Sequence, residues 1–348
     1  MRLVDLRSDT VTLPTPAMRE AMYRAELGDD VFGEDPTVNR LQEMAAERTG
    51  KEAALLVVSG TMGNLVSLLA HCGRGDEVIL GDKAHIFINE QGGLAALGGI
   101  VPHTVRNLPD GALDLLEVEG AVRGDNVHYP RSRVICLENT HNTCFGNALT
   151  PAQMGQVAAI ARKHKLSTHV DGARIFNAAV ALGVSVKELV AEMDSVQFCL
   201  SKGLAAPVGS MVCGSAAFIR EAKRTRKVVG GGMRQAGIIA AAGIVALEQM
   251  VDRLADDHRN ARAFAEGVAQ IKGLECEVSR VVSNILYVDI SKEGLSSAEF
   301  VAKLAADGVR VLARPSTGLP QMRVVTHYGI EADDIAYALG VIKRVMEG

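Results

Sequence analysis

Lys202 is the residue with the clearest chemical potential. It lies in Ser195–Gly209, SVQFCLSKGLAAPVG. This stretch opens on an apolar run, Val196 to Leu200, of strand length. The run breaks at Ser201-Lys202-Gly203, where small and polar residues turn the chain. A lysine just past the end of a central strand stands where open α/β sheets place their ligands. Desolvation favours the neutral amine, which is a nucleophile and condenses with aldehydes. In isolation such a lysine is compatible with an ordinary solvated loop. Upstream, however, Thr168-His169-Val170-Asp171-Gly172-Ala173-Arg174 is a second short apolar strand, and it ends in a carboxylate. Asp171 and Lys202 are therefore expected at the ends of successive, neighbouring parallel strands. Pyridoxal phosphate (PLP) chemistry needs that pair. The lysine carries the cofactor as a Schiff base, and the aspartate keeps the pyridine nitrogen protonated so that the ring accepts electrons.

Other polar residues cluster at the ends of further strands. Ala53 to Val58 reads as a strand, followed by Ser59-Gly60-Thr61-Met62-Gly63-Asn64 as a turn and a helix over 65–71. Strand, small polar turn and helix together offer free backbone N–H groups to a phosphate, although many such turns bind nothing. It is neither a Walker motif nor a GxGxxG fingerprint, which disfavours a nicotinamide-dependent dehydrogenase. His85 and Glu90 follow the strand Glu77–Leu80, where a stacking or acid–base role competes with that of a hydrogen-bonded core histidine. His128 stands on the loop Asn126–Pro130, between the strands 101–105 and 133–137. The polar run Glu138–Thr143 closes the second of these.

Residues 1–16 read as an arm in which Pro14 and Pro16 argue against helix. A helix is expected from Ala17 to Ala25, then a long acidic loop, Gly28–Pro36, and a helix from Val38 to Arg48. Thr150-Pro151 is a helix start, with Thr as N-cap and Pro at the first helical position. Helices over 175–182 and 216–227 flank a strand at 210–213. Gly230-Gly231-Gly232-Met233-Arg234-Gln235 is either a hinge or a place of close backbone approach. Helices over 235–254 and on to 271 contain a boundary. Beyond it come strands at 285–290, 309–312 and 322–326, with helices at 296–307 and from 331. Arg323 interrupts an apolar strand, so its charge faces solvent or a ligand, and a carboxylate is its natural partner. The expected architecture is α/β: an N-terminal arm (1–16), a large domain with a mostly parallel sheet flanked by helices (17–250), and a smaller α+β domain (251–348).

Composition sets limits on partners and compartment. The 348 residues are 48% hydrophobic and 22% charged, an ordinary globular mix with an aliphatic core, since Trp is absent. A net charge of −4 argues against a nucleic-acid surface. The N-terminus is charged from residue 2 and is not expected to be a signal peptide; no apolar run reaches membrane length. The six cysteines form no CxxC pair, which argues against a metal cluster and fits a reducing cytoplasm.

Segments spread along the whole chain carry a more specific signal: DLRSDTV (5–11), GDDVFGEDP (28–36), SGTMGN (59–64), ENTHN (138–142), HVDGARIFNA (169–178), CLSKGL (199–204), APVGS (206–210), GGGMRQ (230–235) and RVVTH (323–327). With these the chain resembles the low-specificity L-threonine (L-allo-threonine) aldolases, PLP enzymes of the aspartate-aminotransferase fold. The resemblance implies that Lys202 holds PLP, Asp171 pairs with the pyridine nitrogen and His85 stacks on the ring. It implies that Gly60 and Thr61 bind the phosphate, with Arg234 reaching it from a neighbouring subunit. It assigns the substrate carboxylate to Ser8, Arg174 and Arg323, Arg174 also lining the cofactor site, and brings His128 to the substrate hydroxyl. It further implies a homotetramer, a dimer of dimers with shared active sites. The family commonly has Tyr where this chain has Phe32, so the ring is kept and the phenolic hydroxyl is lost.

The activity so implied is retro-aldol cleavage of a β-hydroxy-α-amino acid such as threonine to glycine and an aldehyde. The base that takes the hydroxyl proton is His128, His85 or a water held by Glu90, and the residues leave all three open. The competing enzyme reading is a β-eliminating amino-acid lyase of the same fold. A regulatory ligand-binding module is disfavoured, because the chain has no basic segment for an appended DNA-binding part.

Overall fold

A computed structural model describes residues 2–314 and 318–347. Met1, residues 315–317 and Gly348, which the expected arm and C-terminal domain include, lie outside the described residues. The strands in chain order are β1 (Val4–Asp5), β2 (Ala53–Val57), β3 (Glu77–Gly81), β4 (Val101–Val105), β5 (Ser132–Glu138), β6 (Ser167–Asp171), β7 (Ser195–Cys199), β8 (Ser210–Gly214), β9 (Leu274–Glu275), β10 (Ile285–Ile290), β11 (Val309–Arg310), β12 (Leu312–Arg314) and β13 (Gln321–Val325).

Seven of them form one sheet in the order β2-β8-β7-β6-β5-β3-β4. All its neighbours pair in parallel except at β8, which is antiparallel to both β2 and β7. The connection from β7 to β8 is too short for a crossover helix, so the chain returns beside the strand it has just left. The carboxyl ends of β2, β3, β5, β6 and β7 therefore all lie at one edge, where α/β sheets bind ligands.

The strands are buried on both faces, as the alternation of their side chains shows. Ala54 and Leu56 of β2, Ile135 and Leu137 of β5, Val170 of β6 and Val196 and Phe198 of β7 join one core cluster, with the helices Pro36–Thr49 and Pro151–His164. Leu55 and Val57 turn the other way and pack with Val66 of the helix Gly60–His71 and Ala222 of the helix Ala216–Val228. On that second face β6 and β7 present His169, Asp171, Ser195, Gln197 and Cys199, opposite in pleat to Val170, Val196 and Phe198. The sheet thus carries a buried polar face beside its apolar one.

A second, antiparallel sheet in the order β12-β13-β10-β9 sits in the C-terminal part. Its own hydrophobic cluster includes Phe264, Phe300 and Ile342 from the helices Leu254–Val268, Ser297–Ala306 and Ala332–Glu347. Val4 and Leu6 of the N-terminal arm belong to this cluster, and β1 pairs in parallel with β11.

Several local expectations need correction. The 59–64 segment is not a free turn: Ser59 is the N-cap, its Oγ accepting from Met62 N at 3.1 Å, and the helix already begins at Gly60. Pro16 starts a helix instead of preventing one, because its missing N–H falls at the first helical position, behind the Thr15 N-cap. The helix expected over 235–254 is α-helical over Gly237–Val245 and then widens into a π turn, Ala246–Met250. The apolar run 309–312 divides: β11 pairs with β1, and β12 pairs with β13.

Candidate active site

A pocket of about 220 Å³ opens at the carboxyl edge of the large sheet. Its walls include Ser59, Gly60, Thr61, Asn64, His85, Glu90, Asp171, Gln197 and Lys202. Each arrives from the end of a strand or from the helix or loop that follows it. Lys202 follows β7, in the tight loop where Ala206 N donates to Leu200 O at 3.0 Å. Asp171 is the last residue of β6, paired in register with Glu138 on β5 and Gln197 on β7. Glu138 in turn accepts from His85 N at 2.7 Å, which pins the short helix His85–Ile88 against the pocket.

Asp171 is 1% exposed and its carboxylate is heavily engaged. Oδ1 accepts from Gln197 Nε2 at 2.6 Å and from Ala173 N at 3.1 Å, while Oδ2 accepts from Asn64 Nδ2 at 3.0 Å. Burial by itself would raise its pKa. The charges of His85 and Lys202, with the Asn64 and Ala173 hydrogen bonds, outweigh that and hold it below the usual carboxylate value. Glu90 behaves in the opposite way. Burial, then the Asp171 charge, push its carboxyl up to about 8, against the hydrogen bond from Asn64. His85 Nε2 lies 3.8 Å from Glu90 Oε1. The site thus holds one carboxyl kept ionised and another disposed to keep its proton, the division of labour that acid–base sites use.

The Gly60–His71 helix points its N-terminus into the pocket. Ser59 serves Met62 N, and the Gly60 and Thr61 amides, first in the helix, have no intrahelical acceptor. Such an end attracts an anion. A Cβ on Gly60 would lie 2.8 Å from Cys199 Sγ, so only glycine lets the helix start this close to β7.

The remaining sequence candidates fall around the pocket or away from it. Arg174, buried, gives Nε and Nη2 to Asp9 at 2.7 and 2.6 Å. Arg323 donates from Nη1 to Asn142 Oδ1 at 2.9 Å and from Nη2 to Arg7 O at 3.0 Å; its Nε is buried without a partner among the described residues. The strand arginine thus faces the interior, and its protein partners are a side-chain amide and a backbone carbonyl, not a carboxylate. Ser8 caps the short helical turn Asp9–Val11, its side chain accepting from Thr10 N. His128 is exposed on its loop and does not line this pocket. Arg234 is also exposed, 3.2 Å from Asp29 and outside the pocket. Phe32 is 75% exposed on the same acidic loop. That loop is no simple solvated turn, because Asp30 forms a buried ion pair with Arg226 at 2.6 Å.

Asn64 and Gln197 line the pocket and Asp9 holds Arg174 beside it, although the sequence assigns none of the three a role; Asn64 and Asp9 lie within the quoted segments 59–64 and 5–11. A signal for Gln197 is present. Ser195, Gln197 and Cys199, like His169 and Asp171, are period-two departures from apolar character in strands that should be buried on both faces.

Known proteins share both the sequence and the fold of this chain. The family model described as beta-eliminating lyase matches residues 5–291. Low-specificity L-threonine aldolase 1 of Arabidopsis thaliana is 48% identical over 349 residues, 99% of this chain and 97% of that protein. The low specificity L-threonine aldolase of Escherichia coli K12 is 45% identical over 334 residues, 96% of either chain. Among solved structures, a Leishmania major threonine aldolase superposes with a TM-score of 0.82 at 19% identity, over 98% of both chains. A Sphingomonas wittichii serine palmitoyltransferase does so at 0.78 and 17%, over 99% of this chain and 87% of that one. The two superpositions establish the shared fold, and the sequence identities establish the family: this chain belongs to the low-specificity L-threonine aldolases, within the beta-eliminating lyases.

Proposed function

We propose that the chain is a PLP-dependent carbon–carbon lyase that cleaves L-threonine, L-allo-threonine and related β-hydroxy-α-amino acids to glycine and an aldehyde. The observation that carries this reading is the convergence of Lys202, Asp171 and an open helix N-terminus on one pocket. The donor set fits PLP. A primary amine suits its aldehyde, unserved helix amides suit its phosphate, and a buried carboxylate held ionised suits a protonated ring nitrogen. When bound, PLP supplies the electron sink for the pair left on Cα as the Cα–Cβ bond breaks.

The chain's own residues would do the rest. Lys202 would hold the cofactor, Gly60 and Thr61 its phosphate, and Asp171 the proton on its ring nitrogen. His85, at the pocket wall, would cover the ring. Arg174 and Arg323, with Ser8, would take the substrate carboxylate; among the described residues, no hydrogen bond engages Arg174 Nη1 or Arg323 Nε. His85, at the pocket wall and 3.8 Å from Glu90, is placed to accept the β-hydroxyl proton, directly or through a water held by Glu90. Exposed His128 and Arg234 would act in a neighbouring subunit's site, within a homotetramer built as a dimer of dimers. Among the described residues no helix is long and apolar enough to cross a membrane. A cytoplasmic setting suits the six free cysteines.

The family's beta-eliminating description keeps one alternative in play. The deciding experiment gives L-threonine and L-allo-threonine separately to the purified, PLP-loaded chain. Acetaldehyde matched by equimolar glycine is expected; α-ketobutyrate with ammonia would move the chain to the eliminating lyases. Lys202→Ala should lose turnover and the cofactor that borohydride fixes to the wild-type protein. Borohydride fixation retained in that variant would overturn the lysine assignment.

A further inference from the structure

On the polar face of the sheet, a continuous series of hydrogen bonds starts outside the pocket and ends on Asp171. His71 Nε2 lies 2.8 Å from Ser195 Oγ, and Ser195 Oγ lies 2.9 Å from His169 Nδ1. His169 Nε2 lies 3.1 Å from Asn64 Oδ1, and Asn64 Nδ2 donates to Asp171 Oδ2 at 3.0 Å. The other Asn64 N–H donates to Glu90 Oε1 at 2.9 Å. Ser195 and His169 are register partners on β7 and β6, and both are fully buried. His71 closes the helix that Gly60 opens, and it stacks on Phe218 with ring centroids 4.5 Å apart.

The direction of every bond follows from the Asp171 end. An ionised carboxylate only accepts, so Asn64 must turn its amide nitrogen to Asp171 and its oxygen to His169. His169 then donates from Nε2. A neutral imidazole has one N–H, so Nδ1 must accept, and it takes the Ser195 hydroxyl proton. The alternative acceptor for that proton, Thr168 O, is farther away at 3.4 Å. The Ser195 oxygen in turn accepts from His71 Nε2–H. Both rings are neutral near pH 7, because burial pushes His71 down to about 4 and His169 down to about 3. With the opposite tautomer of His169, a lone pair would face Asn64. The amide would then be driven to flip, setting its oxygen against Asp171 and Glu90.

We propose that His71, Ser195 and His169, none of which lines the pocket, are positioning residues that act through Asn64 to hold the Asp171 carboxylate in place for the ring nitrogen of PLP. The proposal rests on the reading of the pocket as a PLP site. It deepens that reading by assigning the residues that prepare the electron sink from behind.

The test uses holoenzyme loaded with PLP labelled with ¹⁵N in the ring, in the wild type and in Ser195→Ala, His169→Gln and His169→Phe. Ser195→Ala removes one oxygen and should fold. The wild-type ring nitrogen should give a protonated-pyridine shift, and Ser195→Ala and His169→Phe should move it toward neutral pyridine. His169→Gln, whose amide can still donate to Asn64, should restore the protonated signal. In the two broken variants kcat for threonine should fall about ten- to a hundredfold, the scale of a lost hydrogen bond to a charged group, with KM changed much less. Histidine ¹⁵N spectra of the cofactor-free protein should show His169 protonated at Nε2. An unmoved ring signal in PLP-bound Ser195→Ala, or His169 protonated at Nδ1, overturns the proposal while leaving the cofactor reading intact. A wild-type chain that takes up no PLP overturns the cofactor reading itself, and with it the role of Asp171 at the ring nitrogen.

Discussion

Arg174 and Asp9, distant in sequence, form a two-bond ion pair in which Nε and Nη2 meet the two carboxylate oxygens at 2.7 and 2.6 Å. Neither side chain is more than 6% exposed. The pair ties the N-terminal arm to a residue three positions past Asp171, and it fixes the guanidinium whose remaining edge is assigned to the substrate. Asn284 Nδ2 also reaches Asp9, at 3.3 Å.

Breaking this pair should be costly, because a buried guanidinium would lose its counter-charge. Asp9→Ala should destabilise the fold by about 3–5 kcal/mol in urea unfolding. A loss of about 1 kcal/mol or less, the worth of an exposed pair, would show the contact to be incidental. Burial alone would raise the Asp9 carboxyl, but the Arg174 and Lys202 charges hold it well below the usual carboxylate range. A depressed carboxylate stabilises the folded state above its unfolded pKa. This contribution should therefore be present above about pH 4 and fade as the pH falls further.

Asp171→Ala should cost at least about a hundredfold in kcat, the scale seen when one preorganised partner of developing charge is removed. The comparison is stopped-flow turnover of threonine at saturating PLP. Near-normal turnover would remove Asp171 from the ring nitrogen.

Glu90 makes the opposite pH prediction. Its folded carboxyl is raised from 4.5 to about 8, so the stabilisation tied to its protonated form is complete below about pH 4.5 and lost as the pH rises through about 8. Glu90→Gln keeps an oxygen for Asn64 and cannot ionise. In the cofactor-free protein, its melting temperature should match that of the wild type at low pH and exceed it progressively on the alkaline side. Parallel melting curves from pH 5 to 9 would place the Glu90 carboxyl in an ordinary environment.

Gly60 is a steric prediction. Its Cβ would lie 2.8 Å from Cys199 Sγ. Gly60→Ala should weaken PLP binding by the equivalent of about 1–3 kcal/mol, as overpacking does. Adding Cys199→Ala should recover part of that loss. Equal affinity of the single and double variants in a fluorescence titration would show that the sulfur is not the obstacle.

Much of the frame is legible from local pattern. The apolar runs before Asp171 and Lys202 do form neighbouring parallel strands, β6 and β7, because short runs bounded by small polar residues have few other stable fates. The Thr150-Pro151 helix start is a full capping box, since the N-cap, N1 and N3 residue types suffice to write it. The 59–64 segment differs from its expected turn because glycine, serine and threonine signal turns and helix starts alike, and only the N-cap bond to Ser59 separates the two.

By itself, the sequence determined which residues could do chemistry and which strands end beside them, because strand length, polarity and turn residues are local properties. Only the tertiary structure decided what each residue faces. Arg323 is readable as a charge in a strand, but not as a buried donor to Asn142. His85 and Glu90 are near in sequence, yet the burial and the Asp171 charge that raise the Glu90 carboxyl come from segments distant in the chain. The series from His71 to Asp171 joins helix Gly60–His71, β6 and β7 through register and pleat. Hydrogen bonds of that kind depend on ångström-scale separations between segments far apart in the chain, and no local pattern encodes them.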